Sequence, residues 1–170
     1  MHMGAYKNIR ETLIAEYKAR DDLYKKKMAE WSGDRTVARI EKPSNIPRAR
    51  ELGYKAKEGV LMARVKVVKG KRKRPKADGG RKPSKSGRFY ARMKSLQSIA
   101  EERAARRFPN CEVVNSYSVG QSGTHSFYEV ILADRQSASL KKDSYYKNIT
   151  SKRGRAFRGI TSSGRKHKQK

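Results

Sequence analysis

The sequence predicts an α+β fold: a small antiparallel sheet packed with helices, from which a long basic loop and a basic C-terminal extension project. Three stretches carry that prediction. Residues 60–68, VLMARVKVV, alternate with a period of two, placing Leu61, Ala63, Val65 and Val67 on one face and Val60, Met62, Arg64, Lys66 and Val68 on the other. Cys111 to Val119 and His125 to Ala133 form two further strand-like runs joined by Gly120-Gln121-Ser122-Gly123, a hairpin signal. Ahead of them, Leu96, Ile99, Ala100, Arg103, Ala104 and Phe108 recur at the spacing of one buried helix face.

In chain order, Gly4 to Trp31 reads as helix, with Tyr6, Ile9, Leu13, Tyr17, Tyr24, Met28 and Trp31 on one stripe and lysines and arginines opposite. The stripe is expected to be core. Asp21-Asp22 suits an N-cap or first turn, so the segment is one long helix or two with a joint there. Arg35 to Glu41 forms a short strand closed by Lys42-Pro43, since proline donates nothing to a ladder. Arg48 to Leu52 is a single helical turn, and the strand Val60 to Val68 follows. Ser95 or Ser98 opens the next helix, with Ser98-Ile99-Ala100-Glu101 matching the capping box, and Pro109-Asn110 ends it. After the hairpin, polar residues run to Asn148 and cations spaced by glycine and serine continue to Lys170, interrupted by Ile149, Phe157 and Ile160. The chain thus divides into a single α+β domain over residues 1–148, carrying the basic loop 69–94, and a basic extension over 149–170.

Charge narrows the function more than any motif does. The chain holds 43 lysines and arginines against 16 acids, a net +27, and its apolar residues make up 35%. Such a molecule repels itself and collects anions, and nucleic acid is the expected partner. Between Gly70 and Lys94 Asp78 is the only acid among the cations, so that stretch is expected to order only against a polyanion, as is the extension. No segment reaches the ~18 apolar residues of a membrane span, and the start shows no secretory signal, which places the protein in the cytoplasm. Cys111 stands alone, leaving neither disulfide nor thiolate cluster.

Enzymatic readings find little footing. His2, His125 and His167 are scattered, and no zinc-protease, paired-cysteine or serine-elbow spacing occurs. His125 and Glu129 share a strand face but sit ~13 Å apart at ~3.3 Å per residue. Glu101 and Glu102 diverge on their helix, where capping and solvent suffice. Gly79 to Ser86 approaches a phosphate-binding loop but lacks the second glycine and a preceding buried strand. No metal, cofactor, small-molecule substrate or membrane is therefore expected, and no catalysis. Arginine and lysine interleaved with glycine, proline and serine instead let backbone approach phosphates while side chains neutralise them. Tyr54, Phe89 and Tyr90 stand beside these cations as packing or stacking rings.

A set of segments, in order along nearly the whole chain, resembles a known family. They are Met3-Gly4-Ala5-Tyr6; Arg48-Ala49-Arg50 with Leu52-Gly53-Tyr54-Lys55-Ala56-Lys57; the strand up to Lys69-Gly70; Ala100-Glu101-Glu102-Arg103-Ala104; Val114-Asn115-Ser116-Tyr117; Tyr128-Glu129-Val130-Ile131-Leu132; and Phe157-Arg158-Gly159-Ile160-Thr161-Ser162-Ser163-Gly164. Together they resemble the large-subunit ribosomal protein L-fifteen-e family of archaeal and eukaryotic type, whose members often continue into a longer basic tail. The resemblance implies a structural constituent of the large ribosomal subunit that binds large-subunit ribosomal RNA beside neighbouring ribosomal proteins. The expected RNA-binding residues are Arg48, Arg50, Tyr54, Lys55, Lys57, Arg64, Lys66, Lys69, Lys71, Arg72, Lys73, Arg74, Lys76, Arg81, Lys82, Lys85, Arg88, Arg92, Lys94, Arg103, Arg155, Arg158, Arg165, Lys166 and Lys168. The alternative is a free protein that compacts nucleic acid without sequence preference.

Overall fold

The computed structural model describes residues 3–70, 72–73, 80, 87, 89–90 and 94–168. Its strands are β1 (Val37–Ile40), β2 (Val60–Val68), β3 (Arg72–Lys73), β4 (Phe89–Tyr90), β5 (Cys111–Gln121) and β6 (His125–Asp134). Four pair antiparallel in the order β1-β2-β6-β5, while β3 and β4 pair with each other as a separate ribbon. The helices are α1 (Met3–Ala19), α2 (Asp22–Gly33), α3 (Ile46–Glu51), α4 (Leu96–Arg107), α5 (Ala138–Lys142), α6 (Ser144–Thr150) and α7 (Ser162–Lys168). The α+β expectation holds, and β2 spans the nine residues whose alternation announced it.

Both faces of the sheet are covered, which explains why Val130-Ile131-Leu132-Ala133 is apolar without a break. Ala63, Val65, Val67, Val130 and Leu132 pack against Ala100 and Ala104 of α4. Met62, Ile131 and Ala133 face the other way, toward Ala49, Leu140, Tyr146 and Ile149. Each such aliphatic side chain, fully removed from water, contributes about 1.5–3 kcal/mol. A third, smaller cluster seats Tyr24, Met28 and Trp31 of α2 on Phe127, with the Trp31 and Phe127 rings edge-on at 5.6 Å. Gly120 makes that seat possible: a Cβ there would lie 2.8 Å from the Met28 sulfur.

The N-terminal segment is two helices. Arg20 turns into the left-handed region at φ 50°, and the Asp21 carboxylate caps α2 by accepting from the Tyr24 N–H at 3.1 Å. The stripe expected as core splits at this joint. Its α2 half is buried, whereas Ile9 and Tyr17 of α1 remain 40% exposed, because α1 lies beside the body and not beneath it. The start of α4 also departs from expectation. Ser95 is the cap, accepting from Ser98 N–H at 3.1 Å, so Ser98-to-Glu101 is not a capping box. Glu101 points inward, and neither it nor Glu102 is left to solvent.

Beyond β6 the chain keeps folding. A boundary after residue 148 falls inside α6, and Ile149, Ala156, Thr161 and Ser163 are all buried. Over its described length, residues 149–168 pack on the body, with α7 against α4 and β5.

Candidate nucleic-acid interface

The basic loop grows directly out of β2. At its root the Lys69 N–H donates to the Thr124 carbonyl at 2.8 Å and the Lys69 ammonium to the Ser122 carbonyl at 2.6 Å, tying the loop to the β5–β6 turn. Gly70, at φ 90°, then redirects the chain. The ribbon follows, with Arg72 opposite Tyr90 and Lys73 opposite Phe89. Lys73, Phe89 and Tyr90 are exposed at this stem. Lys71, Arg74, Lys76, Arg81, Lys82, Lys85, Arg88 and Arg92 lie outside the described residues, as do the side chains of Arg72 and Lys168.

Several of the anticipated cations are engaged inside the molecule. Arg64 crosses the Trp31 ring at 4.3 Å and pairs with Asp34 at 2.7 Å, and its side chain is only 17% exposed. Lys66 donates to the carbonyls of Ser32 and Asp34 at the C-terminal end of α2, where the helix dipole favours a cation. Arg103 of α4 donates to the Lys66 carbonyl at 2.9 Å and thereby bridges helix and sheet. Lys94 pairs closely with Glu102.

A second group lies at the surface around α3 and α6. Arg48 pairs with Glu51 at 2.6 Å, and Arg50 lies over the Tyr6 ring at 5.5 Å. Lys55 and Lys57 converge on one Asp143 oxygen at 3.0 and 2.8 Å. Those hydrogen bonds, Lys57 first and Lys55 second, hold the Asp143 carboxyl well below the usual range. Tyr54 is half-buried against the cluster around Met62. Behind it the Tyr146 hydroxyl donates to the Gly53 carbonyl at 2.6 Å, and burial pushes that hydroxyl up to about 12. A side chain at Gly53, whose φ is 93°, would strike the Tyr145 hydroxyl.

Two buried acids fix the C-terminal segment, and both escaped sequence reasoning. Glu112 accepts from the backbone N–H groups of Gly154 and Arg155 at 2.8 and 3.1 Å. Arg155 in turn donates to the Val113 carbonyl at 2.9 Å, and burial depresses its guanidinium against the opposing pull of Glu112. Glu101 receives the hydroxyls of Ser116 and Thr161, the latter at 2.6 Å. Burial raises its carboxyl despite those bonds and the nearby Arg155. A signal for Glu101 existed: it precedes Ala104 by three and Phe108 by seven, inside the apolar arc. Held this way, the segment turns Arg158, Arg165 and Lys166 outward and exposes Phe157, with the Arg106 guanidinium 5.7 Å from its ring centre.

His125 and Glu129 do not meet. His125 bonds Thr124, while Glu129 is fully buried and takes the hydroxyls of Tyr117 and Ser44. Burial first, and Glu129 second, drives the Tyr117 hydroxyl far upward, so this pair is a polar clamp within the core. Among the described residues no group of three or more histidine, cysteine or acidic side chains converges, and no helix is long and apolar enough to cross a membrane.

Known proteins are similar to this chain over most of its length. A family model described as Ribosomal L15 matches residues 4–169. Large ribosomal subunit protein eL15 of Metallosphaera sedula is 43% identical, across 98% of this chain and 78% of its own. Its counterpart of the same name in Methanocella arvoryzae is 44% identical over 95% of this chain and 81% of its own. That of Methanocorpusculum labreanum is 48% identical over 82% and 73%.

Proposed function

Since the chain belongs to the Ribosomal L15 family, we propose that it is a structural constituent of the large ribosomal subunit, holding large-subunit ribosomal RNA together in support of translation. The observation that carries this reading is the match through nearly the whole chain to proteins of that name, joined to a net charge of +27. The two-faced sheet acts as the rigid body, and the RNA contacts are divided between two kinds of cation.

Lys69 to Lys94 extends from the body on the β3–β4 ribbon and threads between RNA helices, with Lys73 and the rings of Phe89 and Tyr90 at its stem. Arg48, Arg50, Lys55 and Lys57 form a second contact region, and Arg158, Arg165 and Lys166 a third. Arg64, Lys66, Arg103 and Arg155 act through the shape of the body, holding helices on the sheet while adding to its positive field. Lysines meet phosphates as point charges; arginines fork onto them or stack on unpaired bases. Neighbouring large-subunit proteins complete the surroundings of the body, and the ribosome is the site of action.

Sedimentation of the native protein through a sucrose gradient tests the reading. Comigration with the large subunit, resistant to moderate salt, is the expected result. Recovery only in light fractions, with equal affinity for duplex DNA and structured RNA, would replace it with the free compaction protein.

A further inference from the structure

The end of β6, α5 and α6 surround an open cleft of about 560 Å³, a size within the ~300–1,000 Å³ of ligand-holding clefts. Arg135 just after β6, Lys141 on α5 and Lys147 on α6 line it, and no carboxylate does. In the second contact region Arg48 pairs with Glu51, and Lys55 and Lys57 share Asp143, whereas no acid lines this cleft. Neither lysine ammonium has a partner among the described residues. Arg135 is already aimed: its backbone N–H donates to the Asn110 carbonyl at 3.1 Å and its Nε to the Thr150 carbonyl at 3.3 Å. That leaves the two terminal nitrogens of the guanidinium for something else.

Lysines in the last turn of a helix usually just answer its dipole. Two of them and an oriented guanidinium around one concavity exceed that need, because the planar arginine fork can take two oxygens of one phosphate while flanking ammonium groups meet others as point charges. We infer that this cleft binds the RNA backbone, Arg135 gripping one phosphate and Lys141 and Lys147 the phosphates on either side. The inference rests on the ribosomal RNA reading above and adds three residues that composition alone did not single out. Charge decides for RNA over an acidic protein segment: every nucleotide brings a phosphate charge, so a short length of strand supplies several anions to the three cations of this cleft.

Cys111, the only cysteine, is buried, so Lys141→Cys and Lys147→Cys each offer one accessible thiol for a tethered iron chelate. Labelled protein assembled into large subunits is expected to direct hydroxyl-radical cuts to one short RNA segment, the same from both positions. Subunits that contain the labelled protein yet show uncut RNA, or cuts in a neighbouring protein, would overturn the inference. Absence of the unmodified protein from subunits would instead defeat the ribosomal reading itself. In solution with transcribed large-subunit RNA, Lys141→Gln/Lys147→Gln is expected to flatten the log–log salt slope by ~0.7–0.9 per lost phosphate contact. The exposed pair Lys7→Gln/Lys26→Gln, equal in charge, is expected to change it less; an equal change would mean a diffuse field and no built site.

Discussion

Glu101 and Asp143 show how differently two acids serve a cationic protein. Glu101 is sealed beneath α4, and truncating it to alanine leaves two hydroxyls without an acceptor, at a cost of about 1–3 kcal/mol. Thermal melts of Glu101→Ala check this. Its raised carboxyl also gives a pH signature. The folded state holds the proton more tightly than the unfolded one, so this stabilisation is complete below the ordinary value of 4.5 and fades as pH rises through the folded value. Melts of Glu101→Gln against pH are expected to lose that decline. Asp143 has the opposite character: its carboxyl is depressed by Lys57 and Lys55, and it restrains two cations assigned to RNA. Asp143→Asn keeps a competent cap on α6 while releasing both. Tighter RNA binding is expected, with a salt slope steeper by ~0.7–0.9 for each lysine newly engaged. Asp143, 86 and 88 residues from its partners, announced nothing in the sequence, while the place of Glu101 on the apolar arc signalled burial but not its partner Thr161, 60 residues on.

Among the elements, those defined by periodicity were legible and those defined by contact were not. β2 could be read to the residue because one face is wholly apolar while Arg64 and Lys66 mark the other, and Gly59 and Gly70 bracket the run. The start of α4 was ambiguous because Ser95 and Ser98 are both plausible caps; the Ser98 N–H donating to Ser95, with Glu101 turned inward to Ser116 and Thr161, removes the second. Each of Ser95→Ala and Ser98→Ala removes a hydroxyl contact with Ser163, but only Ser95→Ala also removes the cap, so it is expected to cost ~1 kcal/mol more in paired denaturation curves. The docking of α7 was illegible for a simpler reason. It depends on Gly164 lying against Gly159, where a Cβ would come within 2.6 Å of backbone. Gly164→Ala is expected to lever α7 away at a cost of ~1–3 kcal/mol, read as faster proteolysis after residue 160. An apolar stripe likewise could not say that α1 would lie outside the body, because Ile9, Leu13 and Tyr17 recur at steps of four just as Tyr24 and Met28 do.

For the molecule as a whole, composition gave the partner class, while the fold sorts the cations. A sequence cannot tell Lys66, which closes the end of α2, from Lys73 at the loop stem, since both are lysines in basic surroundings. The collective charge still governs association. Affinity for large-subunit RNA is expected to fall linearly on log–log axes with salt, and a flat response between ~50 and 200 mM would contradict phosphate neutralisation. The β3–β4 ribbon also makes the arm separable. Lys73 and Phe89 stand opposite one another, so the strand departs and returns at a single doorway. A two-residue hairpin connection is enough to span that doorway. An abridged variant bridging Lys73 to Phe89 would thus retain an intact body, and any assembly defect it showed would belong to the excised arm alone.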